Sequence, residues 1–179
     1  MSQMPWMPRV LAALAGVLVA PLALPAALGI RFGSAGAFSA GGHLLGLIPG
    51  RCGQYLRAGF YVSTLQSCAG EVVLNFMTTI SSPHAMVGAN VVTGCYVTLG
   101  YVDVGQGATI GDRAIVGREY SGDMDSGPEL VQVGAGCVIG EGAVILADVG
   151  AGAYIEPGTV VMKAVPKGAT GSGHPLCIT

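Results

Sequence analysis

Charge is scarce in this chain: only 10% of its 179 residues are Asp, Glu, Lys or Arg, and the formal net charge is −2. No basic cluster exists to neutralise a phosphate backbone, which excludes nucleic-acid binding. Histidine is limited to His43, His84 and His174. The five cysteines, Cys52, Cys68, Cys95, Cys137 and Cys177, include no C-x-x-C pair and no Cys/His spacing suited to zinc. An odd, widely spaced set in a chain of this length argues against a disulfide framework, so the thiols read as reduced and mostly packed. No metal site is expected.

Glycine is plentiful instead, with 30 residues, more than twice its usual share of about 7%. Hydrophobic residues make up 51% of the chain. That combination suits many tight corners around a continuous apolar interior, or else a membrane protein. Here the two causes occupy different parts of the chain.

Val10 to Ile30 is uncharged and bounded by Arg9 and Arg31. As a helix it is long enough to cross about 30 Å of hydrocarbon. Pro21 and Pro25 disfavour a straight helix, because each removes a donor and clashes one turn back. A span or a proline-bent re-entrant hairpin is the favoured reading, ahead of a cleaved signal peptide or an interfacial, partner-covered segment. Three arginines after the stretch against one before it put the remainder on the cytoplasmic side if the stretch crosses once.

Gly41 to Leu65 is amphipathic, with Arg51 and Arg57 among Leu47, Ile48, Tyr55, Leu56, Phe60 and Tyr61 and a break at Pro49-Gly50. It fits either a helix lying in a membrane interface or a helix capping the domain that follows.

That domain is periodic. Aliphatic or β-branched residues, most of them followed by a small or acidic one, recur about every six positions: Val87, Thr93, Leu99, Val104, Ile110, Val116, then Val133, Ile139, Ile145, Val149, Ile155, Val161 and Val165. Four residues after most of them stands a smaller or β-branched residue: Val91, Val97, Ala108, Ala114, Cys137, Ala143, Ala153 or Thr159. Two steps are short, Leu99 to Val104 and Ile145 to Val149. A coil of short strands with a large and a small inward residue per side explains this pattern, the glycine after each aliphatic residue permitting the corner dihedrals. Glycine at this density rules out a helix, and a six-residue period is not the alternation of a sandwich.

The stretches TIGDRAIVG and VGAGCVIGEGAVILADVGAGAYIEPGTVVMKAVP, with the ending ATGSGHP, resemble the left-handed β-helix, hexapeptide-repeat acyltransferase family. The earlier LIPGRCGQYLRAGFYVSTLQSCAGEVVLNFMTTISSPHAMVGANV is similar to a membrane-associated subgroup from surface-polysaccharide biosynthesis. The fold class expected is therefore all-β, a left-handed parallel β-helix at 71–179 with a loop at 117–131. An apolar membrane-associated segment at 1–40 and an amphipathic helical cap at 41–70 precede it.

The resemblance implies an acyl-coenzyme A-dependent O- or N-acyltransferase, with acetyl-CoA or another acyl-CoA as co-substrate and a sugar or polysaccharide acceptor. It also implies a homotrimer at the cytoplasmic face of a bacterial inner membrane, with other membrane subunits as further partners. In such enzymes a loop histidine takes the acceptor proton. Here the interruption reads REYSGDMDSGPEL and has no histidine; its Glu119, Asp123 and Asp125 read as solvated. His84 is left as the candidate base. Gly152, Lys163, Lys167 and His174 are the candidates for the cofactor groove. A zinc carbonic anhydrase of this fold would need three histidines, and the β-helix body offers His84 alone. The competing reading is a non-catalytic scaffold or accessory subunit of a membrane complex.

Overall fold

The computed structural model describes residues 36–118, 130–173 and 176–179. The apolar stretch at 10–30, most of the interruption with Glu119, Asp123 and Asp125, and His174 lie outside the described residues. Among the described residues no helix is long and apolar enough to cross a membrane.

Two helices open the described chain, α1 (Gly36–Gly46) and α2 (Gly50–Thr64). Pro49 stands in extended conformation as the N-cap of α2, because proline can begin a helix but not continue one. Phe38, Phe60 and Tyr61 form a buried aromatic cluster with centroids 5.3–5.9 Å apart. The helix pair sits on the first coil: the Ile80 N–H donates to Tyr61 Oη at 2.9 Å, and the Met77 N–H to the Gly46 carbonyl at 3.1 Å. The segment is thus a cap. Arg57, Phe60 and Tyr61 are turned inward and are all 0% exposed, while Leu44 and Leu47 face outward.

Three sheets of very short strands form the rest. Sheet 1 contains β1 (Ser67–Cys68), β3 (Met86–Val87), β6 (Val102–Val104) and β9 (Val131–Val133), extended by single pairings to Val149 and Val165. Sheet 2 contains β4 (Val92–Thr93), β7 (Thr109–Ile110), β10 (Val138–Ile139), β12 (Tyr154–Ile155) and β14 (Thr170–Ser172). Sheet 3 contains β2 (Thr79–Ile80), β5 (Thr98–Leu99), β8 (Ile115–Val116), β11 (Val144–Ile145) and β13 (Val160–Val161). Pairing among the strands of these sheets is parallel; β15 (Cys177–Ile178) runs antiparallel, closing the far end against β14, and Tyr101 and Arg118 form a single antiparallel bridge.

The register stacks like on like. Val87, Val104, Val133, Val149 and Val165 form one inward column. Thr93, Ile110, Ile139 and Ile155 form the second, and Ile80, Leu99, Val116, Ile145 and Val161 the third. The smaller inward residues, from Val91 to Thr159, are buried beside them. Each strand contributes little by itself, and the stack of apolar columns supplies the stability.

One expectation is corrected. Apart from Gly117 (φ +91°), the glycine after each aliphatic residue is not the residue with unusual dihedrals. The left-handed conformation falls two positions later, at Asn90, Tyr96, Gly107, Arg113, Gly136, Gly142, Gly152, Gly158 and Gly168. The earlier glycine is needed for space: a Cβ on Gly105 would lie 2.6 Å from the Ala135 nitrogen of the next coil, and one on Gly111 2.6 Å from the Glu141 nitrogen.

Candidate active site

The prism has three corners, and they differ in regularity. From sheet 1 to sheet 2, and from sheet 2 to sheet 3, successive column residues are six apart on every coil from Val87 to Val161. From sheet 3 back to sheet 1 no two early coils agree: Ile80 to Val87, Leu99 to Val104, the long interruption from Val116 to Val133, then the short steps Ile145 to Val149 and Val161 to Val165. A packed coil requires none of this variation, since the other two corners do without it.

This irregular corner brings together residues far apart in sequence. On the first coil, Ser81-Ser82-Pro83-His84 carries a half-buried imidazole, and the His84 N–H donates to Ser82 Oγ at 3.3 Å. One coil on, Tyr101 sets its ring edge-on to His84, with centroids 6.3 Å apart at 70°. Tyr101 is in turn pinned to the root of the interruption: its N–H donates to the Arg118 carbonyl at 2.7 Å, and its carbonyl accepts from Val131 N–H at 3.3 Å. His84 therefore lies beside Tyr101, which is held by Arg118 and Val131, two described residues that flank the interruption. Next along the axis is an open hollow of about 160 Å³ lined by Arg118, Leu130, Val131, Ala147, Asp148 and Ala164. Arg118 Nε donates to the Leu146 carbonyl at 3.3 Å, and Asp148 Oδ1 accepts from Gln132 N–H at 2.9 Å. Lys163 is exposed at the last turn of the same corner, four coils from His84, which at 4.7–4.9 Å per strand is about 19 Å.

The other predicted groove residues lie elsewhere. Gly152 and Lys167 occupy adjacent coils at the corner between sheets 1 and 2, where the Gly168 N–H donates to the Ala151 carbonyl at 3.0 Å. Gly152 has φ +68° and open space where a Cβ would be, as do Gly107, Gly136 and Gly168 at the same corner, so the backbone alone accounts for it. Lys163 and Lys167 thus stand on different corners. Cys137 is 0% exposed in the core, and burial raises its thiol pKa, as expected for a packed residue. Among the described residues no group of three or more His, Cys, Asp or Glu is placed to hold a metal ion.

Tyr101, Arg118 and Asp148 were not singled out by their residue types. Their signal was spacing: Tyr101 falls in the five-residue step, Asp148 in a four-residue step, and Arg118 opens the interruption.

A parallel β-helix with its loop at one corner defines the class of protein. No protein-family model matches the chain, and no curated protein matches it. Solved structures do. Soybean serine acetyltransferase, as the apoenzyme, superposes with a TM-score of 0.52 at 24% identity, over 80% of this chain and 57% of that one. Serine acetyltransferase from Neisseria gonorrhoeae, in complex with serine, gives 0.51 at 21% identity, over 80% and 56%. The chain spans little more than half the length of these proteins, and the likeness is one of fold: the left-handed β-helix of the acyltransferases.

Proposed function

We propose that the chain is an acyl-coenzyme A-dependent acyltransferase that transfers an acetyl group to a hydroxyl or amine of a sugar or surface-polysaccharide intermediate. It would work as a homotrimer at the cytoplasmic face of a bacterial inner membrane, anchored through residues 10–30. The observation that carries the reading is the irregular corner. Every departure from the six-residue step between Val87 and Val161 falls there, and the same corner holds His84, Tyr101, Arg118 and Asp148. The acyltransferase fold supports the reaction class, and the subgroup resemblance supports the acceptor.

The chemistry follows from the corner. A neutral imidazole at His84 accepts the acceptor's O–H or N–H proton as that atom attacks the thioester carbonyl. The tetrahedral intermediate collapses, the C–S bond breaks, and the leaving thiolate takes the proton back from the imidazolium. Tyr101, edge-on to the ring, holds its plane. Arg118 is suited to a carboxylate or phosphate on the acceptor, and the exposed Lys163 at the same corner offers a point charge for the cofactor's phosphates, with Lys167 on another corner.

The test is free-thiol release from acetyl-CoA with candidate sugars. With a turning-over acceptor, His84→Ala is expected to lower kcat by a factor on the order of 10²–10⁴ with KM for acetyl-CoA little changed. Turnover that survives the substitution removes His84 as the base. The scaffold reading is favoured by one observation, the absence of histidine from the interruption. Calorimetry decides it: no acetyl-CoA binding at millimolar concentration leaves the scaffold.

A further inference from the structure

Charge is divided along the chain with a sharp boundary. Residues 1–70 contain Arg9, Arg31, Arg51 and Arg57 and not one Asp or Glu; all ten carboxylates lie from Glu71 onward, with Arg113, Arg118, Lys163 and Lys167 as their only basic counterparts. Among the described residues the cap, which ends at Thr64, carries the exposed Arg51, the buried Arg57 and no carboxylate, whereas the β-helix from Ser67 onward carries six carboxylates against four basic residues. The cap end thus presents the positive charge of Arg51, and the described β-helix body is net acidic.

The same end presents apolar side chains. On α1 the residues Ala40, His43 and Leu44 share one face at helical spacing and are exposed, as is Leu47 in the turn just past the helix end, Leu44 by 57% and Leu47 by 61%. The exposed strip runs on through Pro49, the N-cap, into Gly50, Arg51 and Cys52 in the first turn of α2. Arg57 does not belong to it, being buried under the turn with its guanidinium on the Leu45, Ile48 and Leu74 carbonyls. The uncharged stretch Val10–Ile30 ends six residues before α1, so Gly36 lies within about 20 Å of Ile30 by whatever path the chain takes.

We infer that the cap end of the β-helix docks on an anionic lipid surface, with Leu44 and Leu47 in the interface and Arg51 at the lipid phosphates, so that the β-helix axis points away from the bilayer. The inference rests on the membrane anchoring proposed above and adds the orientation and the lipid charge. Like charge holds the acidic body off such a surface, while arginine and leucine on one strip are attracted to it. The consequence for the site is direct. His84 is on the first coil, next to the cap, and Lys163 is four coils farther out. The acceptor end of the corner faces a membrane-borne sugar, and the far end faces the water-soluble acyl donor.

Two native thiols report on the orientation: Cys52 is exposed in the docking strip and Cys177 is exposed at the opposite end of the prism. The full chain would be reconstituted in vesicles of phosphatidylcholine with phosphatidylglycerol, in phosphatidylcholine alone, and in detergent. Each sample is treated with a membrane-impermeant maleimide and the labelled peptides are quantified by mass spectrometry. On anionic vesicles the labelling rate of Cys52 is expected to fall about tenfold relative to detergent, with Cys177 changed less than about twofold. Neutral vesicles should protect Cys52 less, and the Leu44→Glu/Leu47→Glu variant should restore its labelling while the chain stays with the vesicles. Equal labelling of Cys52 in vesicles and detergent, protection of Cys177 alongside it, or failure of the chain to associate with vesicles would each overturn the inference. No turnover is read, so a negative result here is separate from a negative result for acyl transfer.

Discussion

Arg57 has no carboxylate partner among the described residues, yet it is fully buried. Desolvation lowers its pKa from the usual arginine value, and three backbone carbonyls at 2.8–3.0 Å offset the burial. Its Nη2 and the Thr159 hydroxyl are buried without a hydrogen-bond partner. For Thr159 this leads to a prediction. The hydroxyl occupies an inward position that Val97 fills in the same column three coils earlier, so Thr159→Val is expected to raise stability by about 1–2 kcal/mol. The urea midpoint should rise at constant m. A second prediction concerns alkali. Burial raises Cys68 from 9.0 to about 12 and Tyr61 from 10.0 to about 12. The folded state holds both protons more tightly than the unfolded chain. Their contribution is therefore complete below pH 9 and is lost as pH climbs toward 12. Thermal unfolding followed against pH should show that decline, and Cys68→Ala should flatten its first part, below the unfolded tyrosine's 10.0.

At the scale of the coil, two kinds of glycine perform different jobs, and substitution separates them. Gly107 has φ +70° with open space around a built Cβ, whereas a Cβ on Gly105 meets the next coil's backbone. Gly107→Ala is expected to cost about 1–2 kcal/mol in backbone strain. Gly105→Ala must also push two coils apart and should cost more, measured by the same denaturation. Tyr96 and Arg113 already tolerate the left-handed conformation, which shows the first cost to be bearable. This distinction was hidden in the sequence, where both glycines follow the same motif and only the third dimension shows which one is crowded. The inward columns, by contrast, were readable residue by residue from Val87 to Val165, because burial against a neighbouring coil leaves room for little except aliphatic side chains. The first coil was harder to see: Asn75 and Ser81 follow Leu74 and Ile80 where later coils have glycine. Asn75 spends its amide on the Thr93 carbonyl instead.

For the molecule as a whole, the ends are the weak points, since a stack of parallel strands exposes unpaired backbone at each one. The cap covers the first coil. Phe60→Asp places a charge among Phe38 and Tyr61 and is expected to lift the cap and cause aggregation, seen as a rise in light scattering. Val62→Asp, on a side chain 42% exposed, should leave the protein monodisperse. The candidate site belongs to this scale too. His84 could be named from composition, because the interruption has no histidine and His174 falls in the terminal ATGSGHP, but Tyr101 and Arg118 join it only when coils stack. Lys163 and Lys167, near each other in sequence, separate onto two corners for the same reason.

The interruption after Val116 has one further consequence. Val87 and Val104 pair across 17 residues, and Val104 and Val133 across 29. Closure entropy grows only with the logarithm of loop length, so the longer excursion costs about 0.5 kcal/mol more. The column beneath it continues in register, valine on valine. A corner that accepts an insertion this cheaply is a graftable socket: loops of other lengths and chemistries can be exchanged there while the stack continues unaltered above and below.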